Sequence, residues 1–72
     1  MKRDIVLFKI HKLEKSIGVR FNQRDVNFIV KRLKKISNDA ELFWCEVGGL
    51  YYIKIGYEKN SSAVISEVEY LK

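Results

Sequence analysis

The sequence predicts an α+β domain in which two N-terminal helices, or a strand plus a helix, pack on a three-stranded antiparallel β-meander. Three observations carry that expectation. Apolar residues recur with helical spacing as far as Ile36 and with alternating spacing from Ala40 onward. A Gly48-Gly49 pair separates two of the alternating runs, as a two-residue hairpin turn requires. Charge changes sign after Ser37: eleven Lys or Arg against three acidic residues up to that point, net +8, then three Lys against six acidic residues, net −3.

The first segment, Asp4 to Ile17, can be read in two ways. Val6, Ile10, Leu13 and Ile17 form a helical stripe, with Asp4 as N-cap and Gly18 just past the end. Alternation of Val6, Phe8 and Ile10 within a β-prone run supports a strand instead. Helix is the favoured reading, and it leaves Gly18 to Phe21 as a four-residue turn between two helices.

The second helix is expected from Gln23 to Ile36. Asn22 stands at the N-cap, Asp25 occupies the capping-box position, and Phe21 can staple against Val26. Val26, Ile29, Val30, Leu33 and Ile36 form its buried stripe. Another face carries Arg24, Phe28, Lys31 and Lys35, joined by Arg32 and Lys34.

Around Gly48-Gly49, the register of a two-residue turn sets Trp44 against Ile53, Leu42 against Ile55 and Ala40 against Tyr57 on a core face. Its other face sets Val47 against Leu50, Cys45 against Tyr52 and Phe43 against Lys54. A turn over Lys59 to Ser62 then brings back Ala63 to Tyr70 as a third strand, with Val64 beside Tyr57, Val68 beside Ile53, Tyr70 beside Tyr51 and Glu67 facing Lys54. The competing reading is a C-terminal helix capped by Ser62, with Val64, Ile65, Val68 and Leu71 turned inward.

Composition bounds the function. One domain spanning residues 1–72 is expected, and folding a chain of that length removes only about 60% of its surface from water. Yet 47% of the residues are apolar, with no proline, so apolar surface is left over for a partner, most simply a second copy. A single cysteine, Cys45, excludes an internal disulfide and has no metal-ligand spacing around it. Lys9, His11 and Lys12 interrupt the short apolar run near the N-terminus, and no run approaches the ~20 residues that cross a bilayer. These features predict a soluble, cytoplasmic protein without metal or cofactor and with no membrane partner.

No catalytic constellation is expected. His11 is the only histidine, and the three Asp residues are scattered. Gly48-Gly49 lacks the Lys and Ser or Thr of a phosphate loop, and its turn role accounts for it. Cys45 reads as a small hydrophobe on a strand.

The stronger signal is for a small basic nucleic-acid-binding protein. Arg20, Arg24, Lys31, Lys34 and Lys35 can track phosphates with release of counterions. Arg24 and Asn27, early in the helix, can reach base edges in a major groove, and Phe28 can stack on a base or pack on the first helix or a second copy. Duplex DNA is preferred over RNA, since Glu67 and Glu69 oppose an RNA-stacking role for the sheet. Two helices, a short turn and a tight hairpin resemble the winged-helix arrangement by analogy of architecture. The third helix of that arrangement is missing, and the Val47 to Leu50 wing tip carries no cation. The alternative is a protein-interaction module, such as a small inhibitor or regulatory subunit, docking through an uncovered sheet face of Phe43, Cys45, Tyr52 and Ile65. A homodimer through that face is expected to set two basic helices side by side.

Overall fold

The computed structural model of the chain describes residues 1–56, 58–65 and 68–70. In chain order the elements are α1 (Arg3–Ile17), β1 (Val19–Phe21), α2 (Gln23–Leu33), β2 (Leu42–Val47), β3 (Leu50–Ile55), β4 (Glu58–Ile65) and β5 (Val68–Tyr70). Strands β2, β3 and β4 form an antiparallel meander in that order, and β1 pairs with β5 in a separate two-stranded sheet. The α+β architecture expected from periodicity is therefore present, with one extra sheet.

For α1, the helical reading is the one adopted. Val6 and Ile10 are fully buried, and Gly18 ends the helix at φ 72°, its N–H bonding the Glu14 carbonyl at 2.9 Å. That is the left-handed cap for which glycine is suited. The N-cap differs from expectation: Lys2 occupies it in extended conformation, and Asp4 lies in the first turn. There its charge complements the helix dipole without capping a backbone N–H.

Gly18 to Phe21 is not the expected turn. Val19, Arg20 and Phe21 alternate buried, exposed, buried, and they pair with Tyr70, Glu69 and Val68 of β5. Two β-prone residues flanking an arginine suit a strand once a partner arrives, and that partner lies almost fifty residues away in sequence.

In α2 the cap is as expected, with Asn22 Oδ1 accepting the Asp25 N–H at 2.8 Å. Val26, Ile29, Val30 and Leu33 are buried. The helix stops at Leu33, short of Ile36. At and just past its end the carbonyls find other donors: the Met1 amino group donates to Lys34 at 2.8 Å, to Leu33 at 3.3 Å and to Ile36, while the Ile36 N–H turns back to Leu33 at 3.0 Å.

The hairpin register agrees with the sequence at every pair from Leu42–Ile55 to Val47–Leu50. Gly48 and Gly49 sit at φ 59° and 82°, which accounts for the glycine pair. The Ala40–Tyr57, Val64–Tyr57 and Glu67–Lys54 pairings fall on residues 57 and 67, outside the described residues. The third strand enters earlier than expected. It begins at Glu58, where a turn was anticipated over 59–62, and it pairs Ile53 with Ala63, Tyr52 with Val64 and Tyr51 with Ile65. Val64 has moved from Tyr57 to Tyr52, an odd number of positions along β3, and an odd slip turns every side chain to the opposite face. Ala63 and Ile65 now point into the core at 1% and 2% exposure, and Val64 points out at 55%. Val68 and Tyr70 leave the meander altogether and pair with Phe21 and Val19.

Both helices lie on one side of the meander, α1 against α2, β1 and β2, and α2 against β4. The core forms between them from Val6, Ile10, Ile29, Leu33, Ile53 and Ile55, each no more than 1% exposed. Trp44 joins the two sheets. Its ring stacks on Phe21 of β1 at 5.6 Å and on Tyr51 of β3 at 5.3 Å, both separations at which offset aromatic rings attract.

Candidate nucleic-acid interface

The exposed side of α2 is basic because its one carboxylate is buried at the edge of that side. Asp25 is 5% exposed, whereas Arg24, Asn27, Phe28, Lys31 and Arg32 all face solvent. Lys34, at the C-cap, and Lys35 continue the cationic surface past the helix end. An apolar stripe buried against the sheet fixes the rotation of the helix, so the fold holds these cations on one surface. Asn27 Oδ1 accepts a hydrogen bond from Gln23 Nε2 at 3.0 Å, which presents the two amides as a linked pair early in the helix.

Arg20 is exposed on β1, below the start of α2, and stands in register with Glu69. With Arg3, His11 and Gln23 it lines an open cavity of about 410 Å³ between α1, β1 and α2. At the inner end of that cavity the buried Glu14 carboxylate accepts the Phe21 N–H at 2.8 Å and holds His11 Nδ1 at 2.8 Å. Sequence reading passed over Arg3 and Glu14. Burial of Glu14 on an otherwise apolar stripe follows from the β1 backbone that it satisfies, and β1 itself was not anticipated.

Phe28 is 48% exposed. It lines a shallow cavity of about 250 Å³ with Arg24, Asp25 and Val64, where α2 meets β4. An open aromatic ring next to a guanidinium is a surface on which a planar base can stack.

The charge layers are not entirely separate. Lys9, one of the eleven cations in the first half, has a side chain only 14% exposed, and its Nζ bonds the Ala40 carbonyl at 2.7 Å and Glu41 at 3.3 Å. That lysine ties α1 to the start of β2 and takes no part in the basic surface.

The four residues expected on the outer sheet face divide. Phe43 is 53% exposed, Cys45 and Tyr52 are half-buried beside each other, and Ile65 is in the core because of the β4 register, with Val64 in its place. Among the described residues no group of three or more His, Cys, Asp or Glu is placed to hold a metal ion, and no helix is long and apolar enough to cross a membrane.

The chain matches no protein-family model, no curated protein and no solved structure.

Proposed function

We propose that this chain is a small, non-enzymatic nucleic-acid-binding protein that contacts duplex DNA through the outward face of α2. The observation that carries the reading is the exposed side of that helix: Arg24, Lys31 and Arg32 share it with no exposed acidic residue, Asp25 being buried at its edge. Lys34 and Lys35 extend the same surface, and Arg20 adds an exposed cation on β1, beside the cavity at the start of α2. A helix is about the width of a major groove, and residues in its first turns are the ones that reach base edges. Arg24 and Asn27 are so placed, Phe28 supplies an apolar or stacking contact beside them, and the lysines engage phosphates. A lone thiol suits the reducing cytoplasm.

Binding built on phosphate neutralisation has a defined signature. Four to six cations engaging phosphates give a log–log salt slope of about −4 to −5 on B-DNA. The test is fluorescence anisotropy of a labelled duplex between about 50 and 200 mM salt, for the wild type and for Lys31→Glu combined with Lys35→Glu. The wild type should lose affinity steeply across that range, and the double variant should fail to bind while its circular dichroism is unchanged. A shallow slope would sink the polyanion reading. Equal affinity for duplex RNA of the same sequence would remove the preference for DNA.

A further inference from the structure

We infer that the open face of the meander docks on a second copy of this chain, and that the resulting dimer carries its two basic helices on opposite outer surfaces. The dimer clause stands by itself; its consequence for nucleic acid rests on the reading above.

Both helices cover the same side of β2, β3 and β4, which leaves the other side open. That side is built in three rows across the strands: Phe43 with Lys54 and Ser62, Cys45 with Tyr52 and Val64, and Val47 with Leu50. Phe43 and Val64 are 53% and 55% exposed, and Val47 and Leu50 are each 63% exposed. The Phe43 ring lies across Gly56, with Cε2 only 2.7 Å from where a Cβ would stand, so it covers the bare backbone just past the end of β3. A continuous apolar face of this kind is unusual on a monomer unless something docks there.

Surface area supports an occupant of substantial size. The chain exposes 5197 Å², whereas a compact monomeric protein of 8.5 kDa exposes about 4,700 Å². A standard interface removes about 800 Å² from each partner, enough to absorb that surplus.

Charge selects the occupant. Among the described residues the face itself bears Lys54, with Arg24 and the buried Asp25 of α2 bordering it at Val64, so its match is a nearly neutral apolar surface; an acidic protein would be drawn to the helical side instead. The chain presents such a surface in this same face. Place a two-fold axis in the interface along the Cys45–Tyr52–Val64 row, and the Lys54 row of each copy covers the Val47–Leu50 row of the other. Each lysine stem then lies over the other copy's Leu50, and the two ammonium groups stand four residues, about 13 Å, apart along the strands. Face-to-face antiparallel sheets are a common way to close a two-layer domain.

Such a dimer has the layer order helix, sheet, sheet, helix. The sequence suggested basic helices side by side, but with both helices behind the sheet they point away from each other. A protein of that shape joins two nucleic-acid segments and cannot grip one duplex with both helices.

The experiment compares the wild type with Val47→Glu combined with Leu50→Glu, both at exposed positions away from α2. Multi-angle light scattering at high micromolar concentration should give the wild type twice the monomer mass of 8.5 kDa and the variant a single monomer mass, with the same circular dichroism. A monomeric wild type hands the face to a partner of different sequence and overturns the inference, as does a variant that stays dimeric. The second measurement captures a fluorescent duplex on beads that carry an unlabelled one. Wild-type protein should bridge the two, and the variant should bind the immobilised duplex without bridging. A wild-type dimer that binds but does not bridge refutes the opposed-helix arrangement. If the wild type is dimeric and binds no duplex, the nucleic-acid reading fails and the sheet-face dimer remains.

Discussion

The Glu14 carboxylate accepts the backbone N–H of Phe21 at 2.8 Å, a buried bond that pins the end of α1 to the short strand following it. Its other oxygen holds His11, so the side chain is satisfied on both sides although it lies inside the apolar boundary of the helix. Replacing it with alanine leaves a buried donor unmade, and Glu14→Ala should lower the unfolding free energy by about 2 kcal/mol. Glu14→Gln keeps an acceptor for Phe21 and should cost less. Urea denaturation followed by Trp44 fluorescence measures both, and equal losses would mean that the Phe21 bond contributes little.

Gly18 and Gly56 should respond oppositely to a methyl group. At Gly18 a Cβ meets nothing within 4 Å, but φ is 72°, so Gly18→Ala carries a purely conformational penalty of about 1 kcal/mol, part of which Gly18→Asn should recover. Gly56 has no such backbone constraint, and its Cβ would collide with the Phe43 ring. Because Phe43 is half-exposed, the ring can swing aside. Gly56→Ala should therefore leave the melting temperature close to that of the wild type while shifting the Phe43 ring resonances in an NMR spectrum. A large loss of stability would show that the ring is fixed in place.

Lys9 separates structural from functional cations. Lys9→Met removes the donor to the Ala40 carbonyl and should destabilise the fold by about 1 kcal/mol without changing duplex affinity. Lys31→Glu with Lys35→Glu should do the reverse. Chemical denaturation and anisotropy on the same two preparations check this crossed pattern; if Lys9→Met weakened binding as much as the helix variants, binding would depend on overall charge and not on α2.

What could be read from the residues was the local part of the fold. Asn22 before Gln23 marks a helix start wherever it occurs, because its side chain reaches the Asp25 N–H within the same turn. Gly48-Gly49 determined the β2–β3 register because a two-residue turn leaves a single alignment of its flanks. The basic side of α2 was legible for the same reason: helical spacing alone decides which residues oppose Val26, Ile29 and Val30.

The β4 register was not legible. Alternating Val, Ile and Ala residues satisfy two alignments that differ by an odd slip, and only packing beneath α2 chooses the one that buries Ala63 and Ile65. For the same reason Val64, and not Ile65, joins Phe43 and Tyr52 on the outer face.

By itself, the sequence determined the α+β class, the cap and basic face of α2, and the first hairpin, all set by contacts within a few residues. Tertiary structure alone decided the β1–β5 pairing, the burial of Glu14, the internal use of Lys9 and the face on which Val64 appears. Each of those depends on a partner distant in the chain, and short-range periodicity carries no information about which distant segment will arrive.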